Sequence, residues 1–334
     1  MARGADLEAK FRLFALKMEN LINSFLKNDK DFPELLVEAL KKQNSADFQE
    51  EIVRKIFNHE IIKKAPPATI FIKNIHQKIQ KNFEDAELVD SLNDFLYSNS
   101  VFIPEKNYNL RQKMEDFGHI SFKYSSFRGE NYLSLRTRLV TFSDLALRLW
   151  DAGLVLAEIF AARHDFVSGK TLLELGAGSG ISGIAAAMNG AKKCYLTDIN
   201  DNFILSNIAH NSLINSCGDK IVVEALDWSI ATKEDLREIC DEPDLIYAAD
   251  CIYDKDLAAW IVRMIEIIKS LWSSKIMIVV TQRIPETLEF FEAILREKSI
   301  KFTIQSPEKL VEAPRETWAQ FSIDFYENIR IYNF

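Results

Sequence analysis

The stretch Leu172-Leu-Glu-Leu-Gly-Ala-Gly-Ser-Gly-Ile-Ser-Gly183 holds four of the chain's 11 glycines, Gly176, Gly178, Gly180 and Gly183. Glycine serves where backbone takes φ > 0 or a ligand comes close, so this loop is where chemistry is first sought. Gly178 to Gly183 spells GxGxxG, and Asp198 follows Gly178 by 20 residues, a pattern compatible with a dinucleotide. Glu174, two residues before Gly176, separates the possible cofactors. A dinucleotide brings a pyrophosphate, which an adjacent carboxylate repels. S-adenosyl-L-methionine brings a sulfonium and an ammonium, which a carboxylate favours. Glu174 and, 24 residues later, Asp198 therefore read as a methyl-donor site, with Asp198 accepting from the two ribose hydroxyls.

Two more acidic positions follow. In Leu226-Asp227-Trp228 the carboxylate can accept from an adenine amino group and the indole can pack on the base. Spacing equally admits a core Trp beside a helix-capping Asp227. Ala248-Ala249-Asp250-Cys-Ile-Tyr253 puts Asp250 and Tyr253 beside the expected methyl group, although Asp250 also suits a turn. Trp150-Asp151 either lids the cofactor or starts a helix.

These residues need a sheet to bring them together. Apolar strands are predicted near 171–175, 193–197, 221–226, 244–249, 275–281 and 321–331, with helices over 201–213, 256–271 and 286–297 between them. Such alternation implies an α/β fold, a mostly parallel sheet covered on both faces, with ligands at the carboxyl ends of its strands. Residues 5–100 lack glycine and read as amphipathic helices, including 34–42 and 84–97, with Pro33 near a helix start and Pro66-Pro67 as a break. Segments 119–124 and 132–139 alternate like a hairpin joined through Phe127-Arg-Gly129-Glu. The expected parts are a helical domain over 1–105, a hairpin connection over 106–143 and a catalytic domain over 144–334.

Composition narrows the partners. A net charge of -8 gives no field for a polyanion, so direct nucleic-acid binding is not expected and a basic protein partner is compatible. No apolar run approaches the roughly 18 residues of a membrane span. Phe11, Phe14, Met18, Leu21, Ile22 and Phe25 form a packing stripe rather than a secretory signal. Cys194, Cys217, Cys240 and Cys251 lack zinc spacings and read as reduced thiols in a cytosolic or nuclear protein, a cytoplasmic one foremost. The five histidines include no HExxH pair, so no metal is expected.

Trp150, the LELGAGSG loop, Asp198, Asp227-Trp228 and the DxxY set Asp250 to Tyr253 together resemble the seven-strand protein-lysine methyltransferases of the family-16 group. Within it, His59 to Pro67, Leu226 to Thr232 and Thr281 to Thr287 resemble the eukaryotic elongation factor 2 lysine methyltransferase family. The resemblance implies a Rossmann-like, seven-strand class I methyltransferase sheet preceded by an all-α N-terminal domain and a β-hairpin. It implies cofactor contacts at Trp150, Gly176, Ala177, Gly178, Asp198, Trp228 and Ala249, with Asp250 and Tyr253 facing the acceptor lysine. Glu174, Gly180 and Asp227 complete the expected cofactor set. Family members often carry a glycine-rich segment where this chain has Thr141 to Leu149.

The expected reaction is in-line methyl transfer to a lysine of a large protein, elongation factor 2 foremost, by a monomer. Asp250 would orient the neutral amine. A catalytically silent binding module is the alternative. The helical domain is open to two tasks, substrate choice and stability.

Overall fold

The computed structural model describes residues 18, 20–26, 30–57, 67, 69–84, 87–100, 117–126, 129–138, 147–311 and 328–334. The chain forms two compact units, Met1–Phe122 with Ser134–Ser143, and Lys123–Leu133 with Asp144–Phe334.

In the first unit, α1 (Phe32–Lys42) carries Pro33 in its first turn, where the missing N–H costs nothing, and buries Phe32, Leu36, Val37 and Leu40. The helix α2 (Ala46–Ile52) is capped by Ser45, whose hydroxyl accepts from the Phe48 amide, and runs into a wide turn over Val53–Phe57. Then come α3 (Thr69–Gln80) and α4 (Asp90–Ser100). Phe25 meets Phe32, Phe57 and Phe71 at ring separations of 5.2, 5.1 and 5.7 Å, and Phe95 stacks on Phe57 at 4.3 Å. The helix predicted from residue 84 starts only at Asp90 because the buried Gln49 amide accepts from the Val89 N–H and donates to the Glu87 carbonyl, holding a turn there. Of the Pro66-Pro67 break and the His59–Pro67 stretch, only Pro67 lies within the described residues.

The strands β1 (Phe117–Ser126) and β2 (Gly129–Arg138) form a sheet of their own, so Gly129 and Glu130 belong to a strand rather than to the connection. Phe127 and Arg128 lie outside the described residues. The Ser121 and Ser134 hydroxyls meet at 2.7 Å.

The second unit begins with α5 (Asp151–Ala162) and the single turn α6 (His164–Val167). Strand and helix then alternate: β3 (Thr171–Leu175), α7 (Ile181–Met188), β4 (Lys193–Asp198), α8 (Asn202–Ile214), β5 (Ile221–Ala225), α9 (Lys233–Ile239), β6 (Leu245–Ala249), α10 (Lys255–Leu271), β7 (Lys275–Thr281) and α11 (Pro285–Glu297). Two further strands, β8 (Thr303–Gln305) and β9 (Ile329–Asn333), complete a seven-stranded sheet in the order β5-β4-β3-β6-β7-β9-β8. The pairings among β3 to β7 are parallel, while β9 inserts antiparallel between β7 and β8. Of the strand predicted over 321–331, residues 321–327 lie outside the described set.

Leu172, Leu173 and Leu175 of β3 are wholly buried, as a strand covered on both faces requires. α10 packs Ile261, Val262, Met264, Ile265 and Ile268 into the core, and Lys255, Asp256, Glu266 and Lys269 lie on its exposed side. Strand order reverses across β3, which pairs with β4 on one side and β6 on the other. In an open α/β sheet a crevice opens at such a switch point, at the carboxyl ends of the strands.

Candidate functional site

The chain leaves β3 through a turn with three positive φ angles, +70° at Gly176, +55° at Gly178 and +80° at Gly180, and enters α7 at Ile181. A Cβ on Gly176 would stand 2.8 Å from Cys251 Sγ and 2.9 Å from the Trp228 ring, so only glycine fits there. The Ala177 amide donates to the Thr197 carbonyl at 2.9 Å and the Gly178 amide to Asp198 Oδ2 at 2.8 Å, tying the loop to the end of β4.

Asp198 is nearly buried, and its other oxygen accepts from the Ile199 amide at 2.9 Å. Burial raises its carboxyl pKa, opposed by these two amides. Glu174 is fully buried. Its Oε1 accepts from the Ser182 hydroxyl at 2.7 Å and its Oε2 from the Tyr247 hydroxyl at 3.2 Å. Burial pushes the Glu174 carboxyl up to about 8. Glu174 is thus not the permanent carboxylate its sequence position suggests. At neutral pH this group stays largely protonated until a cation adjoins it.

Asp227 is exposed and accepts from both the amide and the hydroxyl of Ser229, a local turn and not the helix cap that spacing admitted, since Thr232 caps α9; the Ser229 hydroxyl in particular holds its carboxyl below the usual range. Arg263 of α10 fixes the next residues by donating to the Trp228 carbonyl at 2.8 Å and the Ala231 carbonyl at 2.6 Å. At the end of β6, Asp250 takes φ +52° and its side chain is 3% exposed. Its carboxylate accepts from the Thr281 amide (2.7 Å), the Thr281 hydroxyl (2.9 Å) and the Ala152 amide (3.1 Å). Trp150 precedes α5 as its N-terminal flank, so Trp150-Asp151 starts a helix, as one of its two readings has it, and Trp150 lines the cleft.

One cleft of about 410 Å³ joins these groups. It is lined by Trp150, Glu174, Gly176, Ala177, Gly178, Asp198, Asp227, Trp228, Ala249, Asp250 and Tyr253. Gly180 does not line it: a Cβ there would face Ile208, Ile184 and Leu196, so this glycine serves the turn and the packing of α7. Sequence reasoning passed over Arg148, Trp260, Thr281 and Arg283 in the lining. Thr281 and Arg283 follow from the rule already applied to the other strands, because β7 ends at the same sheet edge. Of Thr141 to Leu149, residues 141–146 lie outside the described set.

The lining suits S-adenosylmethionine. Trp228, which lines this mostly apolar cleft of small-molecule size, has its Nε1 buried with no partner, an orphan donor. Gly176 leaves room that a side chain would fill. Asp198, Asp227 and Glu174 offer carboxyl groups to a cation and no basic cradle for a pyrophosphate at the glycine loop. Among the described residues, no group of His, Cys, Asp and Glu could hold a metal ion, and no helix is long and apolar enough to cross a membrane.

Comparison with known proteins gives the chain's relatives. The profile described as lysine methyltransferase matches residues 130–297. The human protein-lysine N-methyltransferase EEF2KMT is 24% identical over 297 residues, covering 83% of this chain and 85% of the relative. Protein-lysine N-methyltransferase EFM3 of Chaetomium thermophilum is 21% identical over 273 residues, 77% of this chain and 81% of that one. A methyltransferase structure solved with SAH, SMU.776, aligns with a TM-score of 0.45 at 14% identity, over 79% of this chain and 66% of its own. The profile takes in β2 through α11, and with them every strand end that lines the cleft, and on that match the chain belongs to the lysine methyltransferase family.

Proposed function

We propose that this chain is an S-adenosylmethionine-dependent protein-lysine N-methyltransferase whose acceptor is a lysine of elongation factor 2. The observation that carries the reading is one cleft in which Asp198 and Trp228 stand with Asp250 and Tyr253. S-adenosylmethionine, when bound, supplies a methyl group activated by its sulfonium. Asp198 accepts from ribose hydroxyls, Asp227 from the adenine amino group, and Trp228 flanks the base. Glu174, Gly176, Ala177, Gly178, Trp150 and Ala249 line the remainder of the cofactor's place.

The acceptor amine must be neutral, and removing the proton of an ordinary lysine at pH 7 costs about 4.6 kcal/mol. Entry into a mostly apolar cleft reduces that cost by disfavouring the ammonium. Tyr253, half exposed at the mouth, stands beside the incoming side chain. Asp250, with its carboxylate committed to Thr281 and Ala152, fixes the loop and the start of α5 against which the amine is aimed. No general base is needed, since the proton leaves to water before attack.

The stretches Leu226 to Thr232 and Thr281 to Thr287 support elongation factor 2 as the acceptor through their family resemblance. The acidic chain, at -8, suits a basic protein surface. The helical segment 1–105 is assigned to recognition of this large acceptor, with 106–143 connecting it to the catalytic part. The four free, buried thiols fit the cytoplasm.

Two measurements test this reading. Calorimetric titration is expected to show heat with S-adenosylmethionine and none with NAD; the reverse overturns the donor assignment. Tritiated donor added with the protein to a cell lysate is expected to label a band at the mass of elongation factor 2. Silence under saturating donor contradicts the enzyme and favours a binding module.

A further inference from the structure

Arg283 has no task in the account so far. It lies in the turn between β7 and α11, lines the cleft, and is held by three neighbours. Its Nη2 donates to Asp151 Oδ2 at 2.7 Å and lies 3.4 Å from Asp250 Oδ2, and its guanidinium carbon is 4.6 Å from the centroid of the Trp150 ring. The Arg148 guanidinium is 5.1 Å from the same ring. A guanidinium is planar and permanently charged, so this arrangement fixes one positive charge beside Asp250 and one aromatic face at the cleft.

The position has an electrostatic consequence. Asp250 alone would strengthen the hold of a nearby amine on its proton, opposing methyl transfer. A cation held within ion-pair distance of that carboxylate works in the other direction. We infer that Arg283 is a positioning residue for the reaction: it holds Trp150 in place and offsets the charge of Asp250, so that the acceptor lysine enters unprotonated. The inference rests on lysine methyl transfer occurring in this cleft. Besides Asp250 and Arg283, the ionisable groups lining the cleft among the described residues are Arg148, Glu174, Asp198, Asp227, Cys251 and Tyr253, and none of these is altered in the variants below.

The test is the pH dependence of single-turnover labelling, with saturating tritiated S-adenosylmethionine and a cell lysate supplying the protein acceptors. Arg283→Met is expected to move the acid limb upward by about half to one pH unit. Arg283→Lys, which keeps the charge, is expected to leave the limb near that of the wild type while lowering the rate. Asp151→Asn removes the opposing charge and is expected to move the limb downward, which keeps the inference testable should Arg283→Met fail to fold. A uniform loss at every pH in Arg283→Met, or an unmoved limb in Asp151→Asn, overturns the inference.

A second readout is independent of turnover. Calorimetric binding of elongation factor 2 to the protein loaded with S-adenosylhomocysteine, in two buffers of different ionisation heat, counts the protons released. Fewer are expected from Arg283→Met than from the wild type, and equal numbers contradict the inference. A shifted limb carried by some other labelled protein supports the role of Arg283 and refutes only the acceptor. A wild type that labels nothing overturns the methyl-transfer reading and this inference with it.

Discussion

Thr281 at the end of β7 donates both its amide, at 2.7 Å, and its hydroxyl, at 2.9 Å, to the carboxylate of Asp250 at the end of β6. The same carboxylate accepts from the Ala152 amide in the first turn of α5. Asp250 thus joins two strand ends and a helix start around the cleft, and its left-handed backbone, which Asp tolerates better than most residues, turns the chain out of the sheet. Asp250→Ala is expected to cost about 2–4 kcal/mol in urea unfolding, because three buried donors lose a charged acceptor. Asp250→Asn, which still accepts, is expected to cost less. An Asp250→Ala variant as stable as the wild type refutes this framing role.

Glu174 makes stability depend on pH. Its carboxyl is raised from 4.5 to about 8 by burial, so the folded chain keeps a proton there that the unfolded chain has already lost. Its contribution is fully present below about pH 4.5 and declines as pH rises toward 8, by up to about 1.4 kcal/mol per pH unit. In Glu174→Gln, whose amide can keep both Ser182 and Tyr247 as partners, that decline is expected to vanish. Urea melts at several pH values across the window decide it, and parallel slopes for the two proteins would rule the account out.

Gly176 and Gly169 share nearly the same backbone angle, φ +70° and +71°, but differ in surroundings. A Cβ at Gly176 meets Cys251 and Trp228 within 3.0 Å, whereas one at Gly169 meets nothing within 4 Å. Gly169→Ala is expected to cost only the backbone strain, about 1 kcal/mol, with S-adenosylmethionine affinity unchanged. Gly176→Ala adds overpacking of about 1–3 kcal/mol and displaces Trp228, so affinity for the donor falls. Thermal melts and calorimetry on the pair separate the two effects. Equal behaviour of the two variants contradicts the packing argument.

Trp228→Ala is expected to weaken S-adenosylmethionine binding by roughly 10- to 100-fold, the scale of losing one large aromatic contact. Arg263, which holds the Trp228 and Ala231 carbonyls, provides a graded comparison: Arg263→Met should weaken binding less, because it frees the loop without removing the indole. Full affinity in Trp228→Ala would move the adenine site elsewhere.

Much of the site was legible because glycine and acidic residues at strand ends have few other reasons to recur. The loop Leu172 to Gly183, Asp198 and Asp227-Trp228 follow from strand alternation, and the structure gathers them at the switch point beside β3. Gly180 could not be told from its neighbours by spacing, since all four glycines suit a turn and only packing shows which ones face the cleft. Burial was likewise invisible: Glu174 reads as a charge in sequence, yet Ser182 and Tyr247 enclose it. The grouping of Arg283 with Trp150 and Asp151 joins segments more than 130 residues apart, and no local pattern announces it. In the helical unit, α4 begins later than its apolar pattern suggests because a side chain from another helix, Gln49, captures the preceding backbone.

The most direct measurement is a mass-spectrometric map of purified elongation factor 2 after incubation with this protein and S-adenosylmethionine. The account predicts methyl groups on a lysine side chain, absent when Asp198→Ala replaces the wild type. Methyl groups found only on other residue types, or none at all with the donor saturating, would contradict it.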